Sequence, residues 1–292
     1  MNTAAARTAF LRACALDVAV RKPGNVSAAS PGHGMDARVF LDSAAAALPG
    51  LFEPGARVGT RIESAVRATR VVAGCNTNLG IVLLCAPLAL ALERCAEGRN
   101  AQGAAGLRHE LQQVLDTLDI EDARAAYRAI AAASPGGLGR AEAQDVATAP
   151  TVDLQDAMRL AAGRDRIALQ YATGFADLFD TGLASLALHA PPPREAGSDA
   201  VQALYLAFLG RWPDSHIVRK FGEPMAQAVT AEAAPWLERA DRLEPVGTDP
   251  RFAEWDAHLK ARGLNPGTSA DLTVATLFIA GALGVARLST FP

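Results

Sequence analysis

The chain has 292 residues, half of them apolar and 5% aromatic, with a formal charge of −3 at pH 7. That length supports one large domain or two with ample core, and the slightly acidic balance excludes an electrostatic footprint for nucleic acid. Alanine is abundant and β-branched runs are few, so helix is favoured over sheet.

Taken in chain order, Phe10, Leu11, Cys14, Ala15 and Val18 share one face and predict a helix over 3–20. Met1 to Arg12 holds no long apolar core before a cleavage-like site, so no signal peptide is expected. Arg21-Lys22-Pro23-Gly24-Asn25 ends that helix, because a residue before proline avoids helical geometry and glycine allows a turn. A loop rich in Ser, Gly and Pro runs to about Asp36, and a second helix is expected over 37–48, punctuated by Pro49-Gly50. Val58, Ile62, Ala65, Val66, Thr69 and Val72 predict a third over 56–73.

The polar stretch Asn76-Thr77-Asn78-Leu79-Gly80 leads directly into an uncharged run, Ile81 to Leu92. A helix apolar on every side is the centre of a larger protein or lies in a membrane. At about 16 residues this one falls short of the ~20 that span a bilayer, so a core helix over 79–96 is expected. Pro87 is expected to kink it or relax its hydrogen bonding. Asn and Thr are good N-caps, and the free amides of a helix start attract anions.

Further helices are expected over 107–117, 121–132, 153–162, 166–189 (ending before Pro191-Pro192-Pro193), 198–210, 214–229, 249–262 and 269–287. The last is apolar from Leu272 to Ala286 apart from threonines, so it too is expected to be central, with Asp271 in its first turn suiting the helix dipole. No alternating strand pattern occurs. The expected fold is all-α, a single multi-helix domain over 1–292 with two buried apolar helices. Cys14, Cys75, Cys85 and Cys95 lie on apolar stretches without a Cys-x-x-Cys pair, which predicts buried thiols in a soluble, reducing, cytoplasmic setting.

Five polar clusters interrupt the helical pattern: Lys22 to Asn25 with Ser27 and Ser30, His33 to Asp36, Asn76 to Asn78, Asp214-Ser215-His216 with Arg219-Lys220, and Asn265 to Asp271. Lys22, Arg219 and Lys220 suit phosphate, and Asp36, Asp214 and Asp271 suit a Mg²⁺ ion carried by it. Each also has a plain structural reading; Asp214, for example, suits the N-cap of its helix. The match Gly32-x-Gly34-x-x-Ala37 to a dinucleotide fingerprint is rejected, because no strand precedes it. His109, His189 and His258 read as structural or surface residues.

As an ordered set, these stretches resemble the triphosphoribosyl-dephospho-coenzyme A synthase family, all-helical proteins that serve citrate lyase and malonate decarboxylase. The resemblance rests on Lys22-Pro23-Gly24-Asn25-Val26, Asn76-Thr77-Asn78-Leu79-Gly80, Pro135-Gly136-Gly137-Leu138-Gly139 with Asp145-Val146, Asp214-Ser215-His216-Ile217-x-Arg219-Lys220, and Asn265 to Leu272. It implies transfer of the ribose of ATP to the ribose 2′-hydroxyl of dephospho-coenzyme A with release of adenine. Displacement then occurs at the anomeric carbon, through a transition state with oxocarbenium character.

The roles this implies fall to His33 or His216 at the departing base, and to Asp36 or Asp214 as base for the hydroxyl. Phosphate and substrate contacts fall to Lys22, Asn25, Asn76, Thr77, Asn78, Ser215, Arg219, Lys220 and Ser269, with Mg²⁺ on Asp36 or Asp271. These groups are expected to converge on one cleft, holding a nucleotide or phosphorylated cofactor precursor, with no nucleic-acid or membrane partner and with room for a homo-oligomer. One departure stands out: family members read Asn-Thr-His-Lys-Gly where this chain has Asn78 and Leu79. The form found here resembles a divergent branch in organisms that use methanopterin-type one-carbon carriers. That leaves two alternatives, a related ribosyl or phospho-transfer step in methanopterin- or methanofuran-type cofactor synthesis, and a non-enzymatic nucleotide-binding or assembly protein.

Overall fold

The computed structural model describes residues 3–98, 103–137, 139, 143–190 and 195–288. The fold is all-α: among the described residues the only strands are β1 (Glu195–Ala196) and β2 (Arg287–Leu288), two residues each and paired in parallel. The chain divides into two compact units, Met1–Thr8 with Asp42–Ala176, and Ala9–Leu41 with Asp177–Pro292. Helices α1 (Thr3–Ala19) and α2 (Ala37–Leu51) each contribute to both.

The first unit is built from α3 (Val58–Ala73), α4 (Leu79–Glu97), α5 (Gly103–Asp116), α6 (Ile120–Ala133), α7 (Leu154–Ala161) and α8 (Arg166–Thr173), with most of α2. Packing of α3 on α6 is close enough that a Cβ on Gly59 would lie 2.6 Å from Asp122 Cα, and Gly59 N donates to Asp122 Oδ1 at 2.8 Å. α4 is the buried centre. At 19 residues it is longer than the run suggests and, by length and composition alone, long enough to cross a bilayer, yet 67% of its apolar window is buried inside the protein.

α4 continues through Pro87, which has no N–H to give to the carbonyl of Leu83. Tyr171 of α8 donates its hydroxyl to that carbonyl at 2.6 Å instead. Burial raises the Tyr171 pKa, so the phenol stays a donor. Tyr171→Phe is therefore expected to cost about 1–3 kcal/mol by stranding a buried carbonyl. A urea midpoint measured at unchanged slope checks this, and a midpoint equal to wild type counts against it.

The second unit holds a π-helical turn (Asp177–Gly182), α9 (Leu183–His189), α10 (Ser198–Leu209), α11 (Ser215–Phe221), α12 (Glu223–Asp241), a short 3-10 turn (Val246–Thr248), α13 (Pro250–Ala261) and α14 (Gly267–Ala282). α14 is buried as its composition requires, and Phe278 meets Phe10 edge-on at 5.9 Å between centroids. α10 is a further central helix of this unit, buried at every position from Ala200 to Leu209.

The structure departs from the sequence reading at several points. α2 runs past Pro49 to Leu51, because Gly50 lets it touch α3; a Cβ there would lie 2.7 Å from Ala65 N. The helix expected over 166–189 breaks where Gly174 and Phe175 both take positive φ. The helix expected over 214–229 breaks at Gly222, φ 85°, and its second part extends to Asp241. Cys75 is exposed, because it lies in the turn after α3 rather than on a helix, whereas Cys14, Cys85 and Cys95 are buried. α14 begins at Gly267, so Asp271 lies beyond its first turn. Pro191 to Pro193 lie outside the described residues.

Candidate functional site

Polar stretches far apart in sequence meet in the second unit. The first is the loop after α1. Lys22 is fully buried; its Nζ donates to the Asp17 carbonyl at 2.5 Å and lies 3.1 Å from Asp17 Oδ1. Burial pushes the Asp17 carboxyl above the usual range, and Lys22 opposes that rise. Pro23 O accepts from Tyr205 Oη at 2.7 Å. Gly24, φ 81°, lies so close to the α13–α14 connection that a Cβ would be 2.7 Å from Pro266 Cδ and 2.8 Å from Leu264 O. Asn25 Nδ2 donates to Asn265 Oδ1 at 2.9 Å, across 240 positions of sequence. His33 Nε2 lies 2.8 Å from Gly24 O; a carbonyl only accepts, so Nε2 carries the proton.

The second stretch starts at Asp214, the buried N-cap of α11. Its Oδ1 accepts from His216 N at 2.9 Å and Ile217 N at 3.3 Å. Its Oδ2 accepts from Ser269 N at 2.7 Å and Ser269 Oγ at 2.8 Å, so one carboxylate ties the start of α11 to the start of α14. Burial raises the Asp214 pKa, while the four donors pull it down. Ser215, the first residue of α11, is buried.

The His216 ring packs on Gly267, where a Cβ would lie 2.6 Å from Nδ1. Its Nε2 is buried and has no hydrogen-bond partner among the described residues. Burial first, then Lys220, Arg219 and the neighbouring His33, hold its pKa down to about 3. At neutral pH it is therefore an uncharged ring whose buried Nε2 is open to a ligand. Arg219 is half-buried and Lys220 exposed, both in the last turn of α11.

Two further predicted carboxylates follow these stretches in the chain, Asp36 three residues after His33 and Asp271 two after Ser269. Asp36 is exposed, and its Oδ1 accepts from Val39 N at 3.1 Å at the start of α2. Asp271 is half-buried on α14. Among the described residues no group of three or more His, Cys, Asp or Glu side chains is placed to hold a metal ion.

Asn76, Thr77 and Asn78 belong to the first unit. Asn76 Oδ1 accepts from Leu79 N at 3.1 Å, and Thr77 Oγ1 donates to Ser43 Oγ at 2.7 Å. Asn78 opens α4 without a side-chain cap, and its buried Nδ2 has no partner among the described residues. The Pro135 to Gly139 stretch is also in this unit, with Leu138 outside the described residues.

Sequence reasoning missed Asp17, Asp256 and Lys260. Asp256 Oδ1 accepts from Gly24 N at 2.9 Å, and Lys260 Nζ donates to Ser30 O at 2.7 Å. An Asp and a Lys four apart on a helix ordinarily read as a solvated surface pair, so only the lone acid Asp17 among Leu16 and Val18 carried a signal.

A helical scaffold that gathers polar loops at helix starts, beside an uncharged, half-buried histidine and two cations, has the make-up of a group-transfer enzyme. A sequence model of the CitG family, ATP:dephospho-CoA triphosphoribosyl transferase, matches residues 3–288. The chain belongs to this family and is a transferase of the triphosphoribosyl-dephospho-CoA synthase type. It is also similar to the crystal structure of a candidate triphosphoribosyl-dephospho-CoA synthase from Archaeoglobus fulgidus. The TM-score is 0.61 at 25% identity, over 84% of this chain and 98% of that one. No functionally curated protein matches the chain.

Proposed function

We propose that this transferase joins the ribose of ATP to the ribose 2′-hydroxyl of dephospho-coenzyme A and releases adenine, as a cytoplasmic enzyme of prosthetic-group synthesis. The observation that carries the reading is His216, an uncharged, half-buried ring whose buried Nε2 has no partner among the described residues, set beside His33, Arg219 and Lys220.

As the glycosidic bond breaks, negative charge builds on the departing base, and a ring N–H of His216 is offered to it, while His33, whose Nε2–H is held by Gly24 O, offers Nδ1 as an acceptor for an N–H of the base. Arg219 and Lys220 take phosphate oxygens by charge-assisted hydrogen bonds. ATP arrives with Mg²⁺ on its phosphates, and such an ion needs only one or two protein carboxylates, a role for Asp271 or Asp36. Asp36, the exposed carboxylate, suits proton removal from the attacking hydroxyl. Asp214 gives its hydrogen bonds to protein donors and so holds His216 in place, together with Ser215 and Ser269. Lys22 and Asn25 set the loop that carries His33. In the first unit, the unpaired Asn78 amide suits a ligand acceptor oxygen, with Asn76 and Thr77 shaping the turn.

A second reading keeps the transfer chemistry but changes the acceptor to a methanopterin- or methanofuran-type precursor. It is favoured by Leu79, which is buried where family members carry a cation.

Incubation with ATP, Mg²⁺ and dephospho-coenzyme A, with adenine followed by chromatography, tests both. Adenine release that requires dephospho-coenzyme A, and that falls by roughly 10²–10⁴-fold in His216→Ala, is the expected result. Turnover only with pterin or furan precursors moves the assignment to the second reading. Nucleotide binding with no turnover on any of these acceptors overturns both in favour of a binding protein.

A further inference from the structure

The loop from Arg21 to His33 is gripped at both ends by one helix. At its start, Asp256 of α13, 1% exposed, accepts from Gly24 N at 2.9 Å and lies 3.7 Å from Arg21 Nε. At its far end, Lys260, one turn later on α13, donates to Ser30 O at 2.7 Å and Ser30 Oγ at 2.6 Å. The Lys260 ammonium also reaches Asp256 Oδ2 at 3.0 Å, so its three protons are all directed at protein oxygens. Its methylenes cover the next turn, where a Cβ on Gly32 would lie 3.2 Å from Lys260 Cδ.

His33 follows Gly32 at once, in the left-handed region at φ 55°, and reaches back to the carbonyl of Gly24. That conformation is uphill for a non-glycine residue, so it persists only where the surroundings enforce it. The turn itself is closed locally, Gly32 N donating to Met35 O at 3.2 Å and Met35 N to Gly32 O at 2.9 Å, with Gly34 also at positive φ. What fixes where this turn sits is α13, through its contacts at Gly24 and at Ser30–Gly32.

We infer that Asp256 and Lys260 are positioning residues: α13 uses them to hold the Gly24 carbonyl and the His33 backbone in register, so that the His33 ring stays beside His216. A largely buried ion pair loses much of its attraction to desolvation, and two apolar residues would anchor α13 at least as well. What the pair supplies is direction, a carboxylate on one main-chain N–H and an ammonium on one main-chain carbonyl. Burial lowers the Lys260 pKa, and the hydrogen bond and charge of Asp256 oppose that fall without cancelling it. The catalytic weight of His33 rests on the function proposed above; its placement by α13 does not.

The experiment therefore has two readouts on the full-length protein. ¹⁵N NMR of the histidine rings reports the His33 Nε2–H bonded to Gly24 O, and steady-state adenine release reports turnover. Lys260→Met is expected to lose the protected His33 ring N–H signal. It should also lower kcat by roughly 10- to 100-fold, the cost of a catalytic group displaced by about an ångström, with KM for ATP little changed. In a His33→Ala background the same substitution should cost nothing more, because the two act through one ring. Lys260→Arg, which keeps the charge, should restore part of both readouts. If Lys260→Met does not fold, Asp256→Asn answers the same question, since it keeps an acceptor for Gly24 N but releases Lys260. A persistent His33 signal in either variant, or losses that add to His33→Ala, overturns the inference. Wild-type protein that shows the ring signal but releases no adenine defeats the proposed function and leaves the positioning intact.

Discussion

Asp214→Ala is expected to destabilise the second unit by about 3–7 kcal/mol. Loss of the N-cap of α11 contributes about 1 kcal/mol. Stranding Ser269 N and Ser269 Oγ, both buried, adds about 1–3 kcal/mol for each donor that no water reaches. Differential scanning calorimetry should show a midpoint lower by roughly 10 °C or more, at about 2–4 °C per kcal/mol for a body of this size. Asp214→Asn separates the two jobs. An amide has one oxygen, so it serves either the two amides of α11 or the two donors of Ser269, and its NH₂ then faces donors at the other end. About half of the alanine loss is expected. A midpoint within a degree or two of wild type for both variants would mean that the α11 and α14 starts are held together by packing alone.

Most of the helices were legible because apolar periodicity reports burial directly. Ile81 to Leu92 and Leu272 to Ala286 carry almost no charge, and each holds the buried centre of its own unit, although the second helix ends at Ala282 and Gly284 is exposed. The breaks were not legible. Gly174 and Gly222 sit in otherwise continuous patterns, and a glycine in a helical pattern ends the helix only if its backbone takes positive φ, which neighbours in space decide. Pro49 misled in the other direction, since α2 needed the close approach that Gly50 allows.

In the candidate site, Asp214 was legible as an N-cap, because that is a contact within three residues. Its second contact, with Ser269 across 55 positions, left no local trace. His216 drew attention as a histidine beside two cations. That its ring would be wedged on Gly267 and kept uncharged depends on the α13–α14 connection folding over it. Charge alone placed Lys22 with the phosphate-binding groups; the fold turns it inward onto Asp17, one helical turn and a half upstream.

That inward turn gives the second large effect, and it depends on pH. Lys22→Met keeps the length of the side chain but removes the ammonium from beside a buried carboxylate. Breaking a buried pair in this way costs about 3–5 kcal/mol when the remaining charge stays ionised. Burial already raises the folded pKa of Asp17 above the usual carboxylate range, with Lys22 as the main influence lowering it. A raised folded pKa means that the folded state holds the proton more tightly than the unfolded chain. The associated stability is fully present below the unfolded pKa and is lost as pH rises through the folded one. Without Lys22 the Asp17 pKa moves higher still, so the window of loss extends further toward neutrality. The variant should be most destabilised near neutral pH and should approach wild type as the pH falls below roughly 3, where Asp17 is largely protonated in both folded and unfolded chains. Thermal midpoints of the two proteins, measured across that range, give the difference directly. A gap that stays constant with pH would show that Lys22 acts through its contact with the Asp17 carbonyl and its packing. A gap that closes on acidification identifies the carboxylate as its partner. The double variant Asp17→Asn, Lys22→Met should then recover most of the loss at neutral pH, because no charge is left in the core to solvate.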